Sequence, residues 1–475
     1  MLWIALHLPR LPLEAFAQAS ASTEAHAVID GGRVITCNER AAQRGVLNGM
    51  SLAAATALAP ELAHRPRDPA VETAALEQLA AWALQFTPGV SLQPPSGLLL
   101  EIEGSLKLFG GIKAILAMIR SGAAEMGYTL SVACAPTVAA AWLLARAGSE
   151  KVLSCKRVIA AEIADLPVRA LDCDAKTRET LAAIGVKTVG AALKLPRDGA
   201  TRRFGPQFFE QLDRVLGTRP EARQFYTPAE TFSSQLELGA TVEQAGALLL
   251  PARRLLLQMA GYLGARCGSV QHFKLSLVHE DIAPTILEIG LATPTRDVER
   301  FVAVLRERLA AEKLPAAVVQ IAIHADDILI LAGENKPLFA EMADRSADWE
   351  RLIERLSARL GGGAVHSLSP RAEHRPEHAW QRAAPGARPL QTAPRPRPLW
   401  LLREPRPLKQ VAEKPYSDNA PLAIVAGPER IESGWWDGGD VKRDYFVAQT
   451  AARSTVWVYR ERRRPGGWYL HGIFG

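Results

Sequence analysis

Apolar positions change period several times along the chain, and each change marks an element. Residues 1–8 form a continuous apolar run cut short by Pro9, Arg10 and Pro12 with no basic segment before it, which predicts a buried strand and not a leader. Short strands follow at 27–29 and 33–37 and a helix at 51–59, after which Pro60, Pro66 and Pro69 break the pattern. Val71, Leu76, Leu79, Trp82 and Phe86 then recur at helical spacing. A strand opening at Gly97, a helix over 112–126, a strand over 129–134 and a helix over 136–147 complete an α+β layer with an inserted subdomain. Short helices joined by glycine turns fill 166–217. The order β-α-β-β-α-β over 231–324 predicts a ferredoxin-like unit whose sheet keeps one face open.

Beyond residue 327 the texture changes. Trp349, Leu352, Ile353, Leu356 and Leu360 share one face of a helix predicted over 346–360, with Ser346 as N-cap and Gly361 to Gly363 as its stop. That face suits a partner and the chain's own domain equally. Ten prolines between Pro370 and Pro415 predict an extended basic linker over 366–427, followed by a small β module at 428–475 rich in Trp, Tyr and Gly.

Composition narrows the class. With 475 residues, 48% hydrophobic and 22% charged, the chain has the makeup of a soluble protein of several domains. Cys37, Cys134, Cys155, Cys173 and Cys267 are scattered and never spaced C-x-x-C, so neither disulfides nor a zinc knuckle is expected, and a reducing cytoplasm fits best. No apolar run reaches the ~18–20 residues of a membrane span. The net charge of +6 resides in 371–415, where ten Lys/Arg face four Asp/Glu, so a basic pI alone does not establish that the folded domains bind DNA.

Three segments carry a resemblance: Gly45-Val46-Leu47-Asn48-Gly49-Met50, Gly104-Ser105-Leu106-Lys107-Leu108-Phe109-Gly110, and Ser131-Val132-Ala133-Cys134-Ala135-Pro136. Over roughly 1–325 the chain resembles the Y-family translesion DNA polymerases. The resemblance implies an α+β architecture with palm (1–12 and 71–160), fingers-like insert (13–70), helical thumb (161–228) and ferredoxin-like little finger (229–328). Residues 329–365 would then carry a tether and the amphipathic helix, ahead of the linker and the final module.

Nucleotidyl transfer by such an enzyme needs carboxylates that hold two Mg²⁺ ions. Aligning D-x-D-x-F-x-A-x-V-E on Glu14 puts Ala5 at the metal aspartate and His7 at the next acidic position, and counting back from Gly104-Ser105 puts Ser96 and Gly97 where Asp and Glu belong. In the fingers Glu39 and Ala42 replace the Tyr and Arg that grip the triphosphate, and a carboxylate there repels phosphate. Lys151 lies near, but not at, the place of a palm lysine. These combined losses resemble the ImuB family, the polymerase-like subunits of bacterial mutasomes, as does Gly434-Trp435-Trp436-Asp437-Gly438. That resemblance implies a non-catalytic protein without metal or cofactor. It would bind primer-template DNA without sequence preference and couple to the sliding clamp, to an error-prone replicative-type polymerase (ImuC) and to a small RecA-like partner (ImuA) in the damage-induced (SOS) response.

Local motifs fit the reading. Leu181 to Gly190 fits a helix-hairpin-helix in which Gly185 and Gly190 let backbone N–H groups approach phosphate, the next helix adds its dipole, and Lys187, Thr188, Arg202 and Arg203 supply further contacts. A packed glycine turn is the plainer alternative. Asn335-Lys336-Pro337-Leu338-Phe339 resembles the clamp-binding pentapeptide Gln-x-x-Leu-Phe, with Asn335 as the polar reach and Leu338 and Phe339 as anchors. Arg460 to Arg464, with Trp457, Tyr459 and Trp468 nearby, reads as a solvated loop or a single-strand contact. Glu101 and Glu103, spaced to share a strand face, keep open a working polymerase with displaced ligands, and a protein-only adaptor also stays open.

Overall fold

The structure is a computed structural model that describes residues 1–16, 24–330, 340–361, 363–383 and 397–474, with side chains in the helix Ala340–Leu360 described from 348 onward. The chain divides into two compact units, Met1–Arg359 and Leu360–Gly475.

In the first unit the strands Gly89–Gln93, Gly97–Glu101, Trp3–His7 and Ser131–Ala135 form an antiparallel sheet in that order. Because side chains alternate along Trp3–His7, Ile4 and Leu6 pack with Leu79, Phe86, Ile115 and Ile119 on one face, while Trp3 and Ala5 meet Val138, Trp142 and Leu143 on the other. The first face is covered by the helix Pro69–Ala83, started by Asp68 capping Ala70 and Val71 with a proline behind it, and by Ile112–Glu125. The second is covered by Val138–Arg146, capped by Thr137. The strand Gly89–Gln93 escaped the sequence reading: it is five residues long and closely bounded by Pro88 and Pro94.

The insert is a small sheet, Arg33–Cys37 beside His26–Asp30 beside Ala63–Pro66, with helices Glu39–Gln43 and Leu52–Leu58 capped by Asn38 and Ser51. Ala63–Pro66 occupies a stretch where prolines predicted only a break; as an edge strand ending in Pro66 it tolerates a missing donor. Helices Ala175–Ala183, Val189–Leu193, Arg197–Phe204 and Pro206–Leu216 follow.

The β-α-β-β-α-β pattern builds an antiparallel sheet ordered Thr285–Thr295, Gly268–His279, Val318–Ala325, Phe232–Val242. Helices Leu249–Ala265 and Val298–Ala311 bury one face. Ser233, Gln235, Glu237, His272, Lys274 and Glu288 remain exposed on alternate strand positions, a face with a single lysine and no basic surplus.

The helix Ala340–Leu360 starts before Ser346, so Ser346 is interior and not a cap; 340–345 is a run of good helix formers with no breaker. It attaches by its polar edge. Glu354 pairs with Arg300 and accepts from the Ala292 N–H at 3.0 Å, and Glu350 accepts from Thr293 at 2.9 Å. Trp349, Leu352, Leu356 and Leu360 stay exposed.

The second unit corrects the expected linker. Ser367–Pro370 pairs with Trp380–Ala383, and Trp400–Val411, Lys414–Ser417, Ala420–Pro421 and Ala423–Ser433 join Val441–Gln449, Thr455–Glu461 and Gly467–Ile473 in a seven-stranded sheet. The prolines are accommodated locally: Pro405 falls within a register shift between Leu401 and Arg406, while Leu402 and Leu408 pack with Val458, Trp468 and Leu470. Burial of that apolar alternation outweighs the missing donors.

Candidate functional site

His7 stands at the end of its strand, opposite Gly97 on one side and Ser131 on the other, and Ala5 lies between Leu99 and Ala133, fully buried. The Ser96 carbonyl accepts from the Leu8 N–H at 2.8 Å. Thus, of the four positions that the resemblance assigns to acidic groups, 7, 96 and 97 meet at one end of the sheet and Ala5 lies two positions inward along the same strand. What fills the space is Trp142, from the helix Val138–Arg146. Its ring meets the His7 imidazole edge-on at 5.4 Å, and a Cβ built on Gly97 would fall 2.3 Å from its Cζ3. Burial, and secondly the Arg146 charge, hold His7 down to about 4 against an opposing hydrogen bond to Ala145, so the imidazole is neutral near pH 7. An indole and a neutral imidazole give a hard divalent cation no anionic oxygen.

Nor do the nearby carboxylates form a substitute pair. The strand ends at Glu101, whose Oε1 accepts from the Glu103 N–H at 3.2 Å, and Glu103 sits in a 3₁₀ turn paired with the Met1 ammonium. The Lys151 ammonium is taken by Glu162 at 2.7 Å. Glu39 opens its helix exposed to solvent, 3.4 Å from Arg10, and Ala42 is likewise exposed. Arg10, Glu14, Glu39 and Tyr128 line a cleft of about 480 Å³ there. Burial raises the Glu14 carboxyl, although the Thr129 hydroxyl and N–H, at 2.6 and 2.8 Å, act the other way.

The helices Ala175–Ala183 and Val189–Leu193 flank the turn expected there, and its glycines differ in role. Gly185 has φ +79° in the turn, beside exposed Lys187 and half-buried Thr188, whose hydroxyl caps Ala191. Gly190 is needed for internal packing: its N–H donates to the Ala164 carbonyl at 2.8 Å, and a Cβ would lie 2.9 Å from that oxygen. The Val189 N–H is spent on Leu166. Since Val189–Leu193 is only five residues long, neither free donors nor a strong dipole await a phosphate there. Arg202 and Arg203 are exposed in the last turn of Arg197–Phe204.

The impB/mucB/samB family model matches residues 13–146. The chain is 30% identical over 460 residues to Protein ImuB of two Caulobacter vibrioides strains, NA1000/CB15N and ATCC 19089/CB 15, covering 91% of this chain and 100% of each relative. The chain belongs to the ImuB family. Among solved structures it is similar to DinB from Sulfolobus solfataricus (14% identity, TM-score 0.39) and to an insertion ternary complex of Dbh DNA polymerase (14%, 0.40), each match covering 70% of this chain and 100% of the other. By its family membership and its sheet topology the architecture is α+β and Y-family polymerase-like, with an added C-terminal β unit, in a protein of DNA damage tolerance.

The remaining expectations for this ImuB-family chain divide unevenly. Asn335, Leu338 and Phe339 lie outside the described residues. Trp457, Tyr459 and Trp468 are buried in the C-terminal sheet, so they are core and unavailable to a nucleotide. Among the described residues no cluster of three or more His, Cys, Asp or Glu is placed to hold a metal ion, and no helix is long and apolar enough to cross a membrane. Sequence reasoning missed Trp142: nothing in local spacing links it to Gly97, and only the packing of helix on sheet brings them together.

Proposed function

We propose that this chain is a non-catalytic, DNA-binding hub that brings an error-prone polymerase and the sliding clamp to damaged DNA for translesion synthesis. The observation that carries the reading is Trp142 seated over Gly97 against a neutral His7, at the positions to which the family resemblance assigns a polymerase's metal ligands. Membership of the ImuB family supports it. Phosphate contact falls to the thumb, where residues 161–228 hold 11 Lys/Arg against 9 Asp/Glu and Lys187, Arg202 and Arg203 are exposed. Gly185 and Thr188 shape the turn that presents Lys187, and Gly190 supports it from within. Asn335, Leu338 and Phe339 serve as the clamp tether, with the replicative-type polymerase (ImuC) and the RecA-like protein (ImuA) as further partners. The protein acts in the cytoplasm.

The test is reconstitution. Purified chain should shift primer-template DNA in a salt-dependent manner and retain the clamp and the error-prone polymerase on it. No shift at low salt, or retention of neither partner, refutes the hub.

A further inference from the structure

Within the C-terminal unit the segment Gly434-Trp435-Trp436-Asp437-Gly438-Gly439 is built around one guanidinium. Arg375, 5% exposed, donates to both carboxylate oxygens of Asp437, at 2.9 and 2.5 Å, to the Gly439 carbonyl at 3.2 Å and to Glu373 at 2.9 Å. Glu373 also accepts from the Ser433 hydroxyl at 3.2 Å. A Cβ on Gly434 or Gly439 would lie 2.6 Å from Arg375 Nη1, so the glycines are what let the backbone close around the arginine. This is a fixed platform, yet it holds two large apolar rings in water: Trp435 is 78% exposed and Trp436 58%. The rings meet edge-on at 5.5 Å, and the Arg375 guanidinium lies 5.7 Å from the Trp436 ring.

The surrounding charge indicates what the rings meet. Residues 360–475 hold 18 Lys/Arg against 11 Asp/Glu, whereas 1–359 hold 38 against 39, so the net positive charge of the chain belongs to this unit. Arg463 pairs with Asp440, which sets the turn at 462–466 beside the platform, and Lys442 continues from it. Among the described residues neither Lys442 nor Arg464 forms an ion pair; Glu432, which stands opposite Lys442 across the strand pair, is paired with Arg462. Exposed indoles on a loop held by Arg375, in a basic unit whose adjoining strand and turn expose Lys442 and Arg464, match a ligand with flat apolar faces on an anionic backbone.

We propose that the Trp435–Trp436 platform, with Lys442 and Arg464, binds single-stranded DNA by stacking unpaired bases on the indoles. The site stands on the residues of this unit alone and does not require the thumb to bind duplex.

The experiment uses the full chain and a fluorescein-labelled dT20 oligonucleotide, read by anisotropy over a range of salt, with primer-template duplex in parallel. Trp435→Ala with Trp436→Ala should weaken dT20 binding at least about tenfold with little change in salt slope. Lys442→Ala with Arg464→Ala should instead lower the slope, and duplex affinity should stay within about twofold in both variants. Trp435→Phe with Trp436→Phe keeps the stacking surfaces and should restore most of the loss, which separates stacking from folding. Equal dT20 affinity in wild type and the double alanine variant overturns the proposal. So does a double alanine variant that keeps the oligonucleotide but drops a mutasome partner in pull-down, which would make the platform a protein-docking site. Loss of duplex binding by wild type, with dT20 binding intact, would count against the hub and leave the platform standing.

Discussion

Substituting Gly97→Ala tests how the space over the first sheet is filled. The added methyl would sit 2.3 and 2.4 Å from Cζ3 and Cη2 of Trp142 and 3.1 Å from the Leu6 carbonyl oxygen. Carbon atoms rest about 3.5–4.0 Å apart, so the indole must retreat by more than an ångström. It has little room, being 8% exposed and packed in a cluster with Leu99 and Leu143. Overpacking of this kind costs about 1–3 kcal/mol. Trp142→Leu alone loses buried area and leaves a cavity, at about 2–4 kcal/mol. In the double variant each change removes the other's problem, so the costs should fall short of their sum by at least ~1 kcal/mol. Hydrogen exchange read on peptides covering 1–8 and 97–102 isolates this sheet from the rest of a multi-domain chain, whose global unfolding is not one transition. Costs additive within ~0.5 kcal/mol, or a Gly97→Ala variant as protected as wild type, would refute the packing of Trp142 over Gly97.

Four further outcomes follow from the same geometry. Restoring acids with Ala5→Asp, Ser96→Asp and Gly97→Glu should give no Mn²⁺ binding by calorimetry while Trp142 remains, because the indole occupies the volume a carboxylate at 97 needs. His7 and His471 are each held down to about 4, first by burial, from an ordinary 6.5, so the unfolded chain takes up protons that the fold refuses. Their contribution to stability is therefore intact above pH 6.5 and is lost as pH falls from 6.5 to 4, and thermal melts of His7→Gln should show a smaller loss over that window. Lys187→Ala, Arg202→Ala and Arg203→Ala should each weaken primer-template binding and lower the log-log salt slope by about 0.9, without altering preference among sequences. Leu338→Ala with Phe339→Ala should abolish clamp pull-down; undiminished retention would remove 335–339 as the tether.

Much of the architecture was legible because burial imposes a period. The alternation in 231–324 and the helical spacing of Val71 to Phe86 each had one face to hide, and the structure hides it. The reading failed where a local signal competed with distant packing. Prolines argued against strands at 63–66 and 400–411, but edge position at the first and a register shift at the second removed the conflict. Gly190 reads as a phosphate turn because sequence cannot distinguish a glycine freed for a ligand from one pressed against Ala164. The aromatic residues near Arg460 to Arg464 looked available for the same reason, while those that are exposed, Trp435 and Trp436, sit on another loop. Around Gly97 the residue identities offered no carboxylate; that Trp142 packs there required the fold.

The most direct test of the central claim is primer extension by the purified chain with all four nucleotides and Mg²⁺ or Mn²⁺, run beside a gel shift on the same DNA. A shifted complex and no extended primer are expected. Robust extension that survives removal of contaminating polymerases would contradict that claim, and would mean that carboxylates other than those expected at positions 5, 96 and 97 hold the metals.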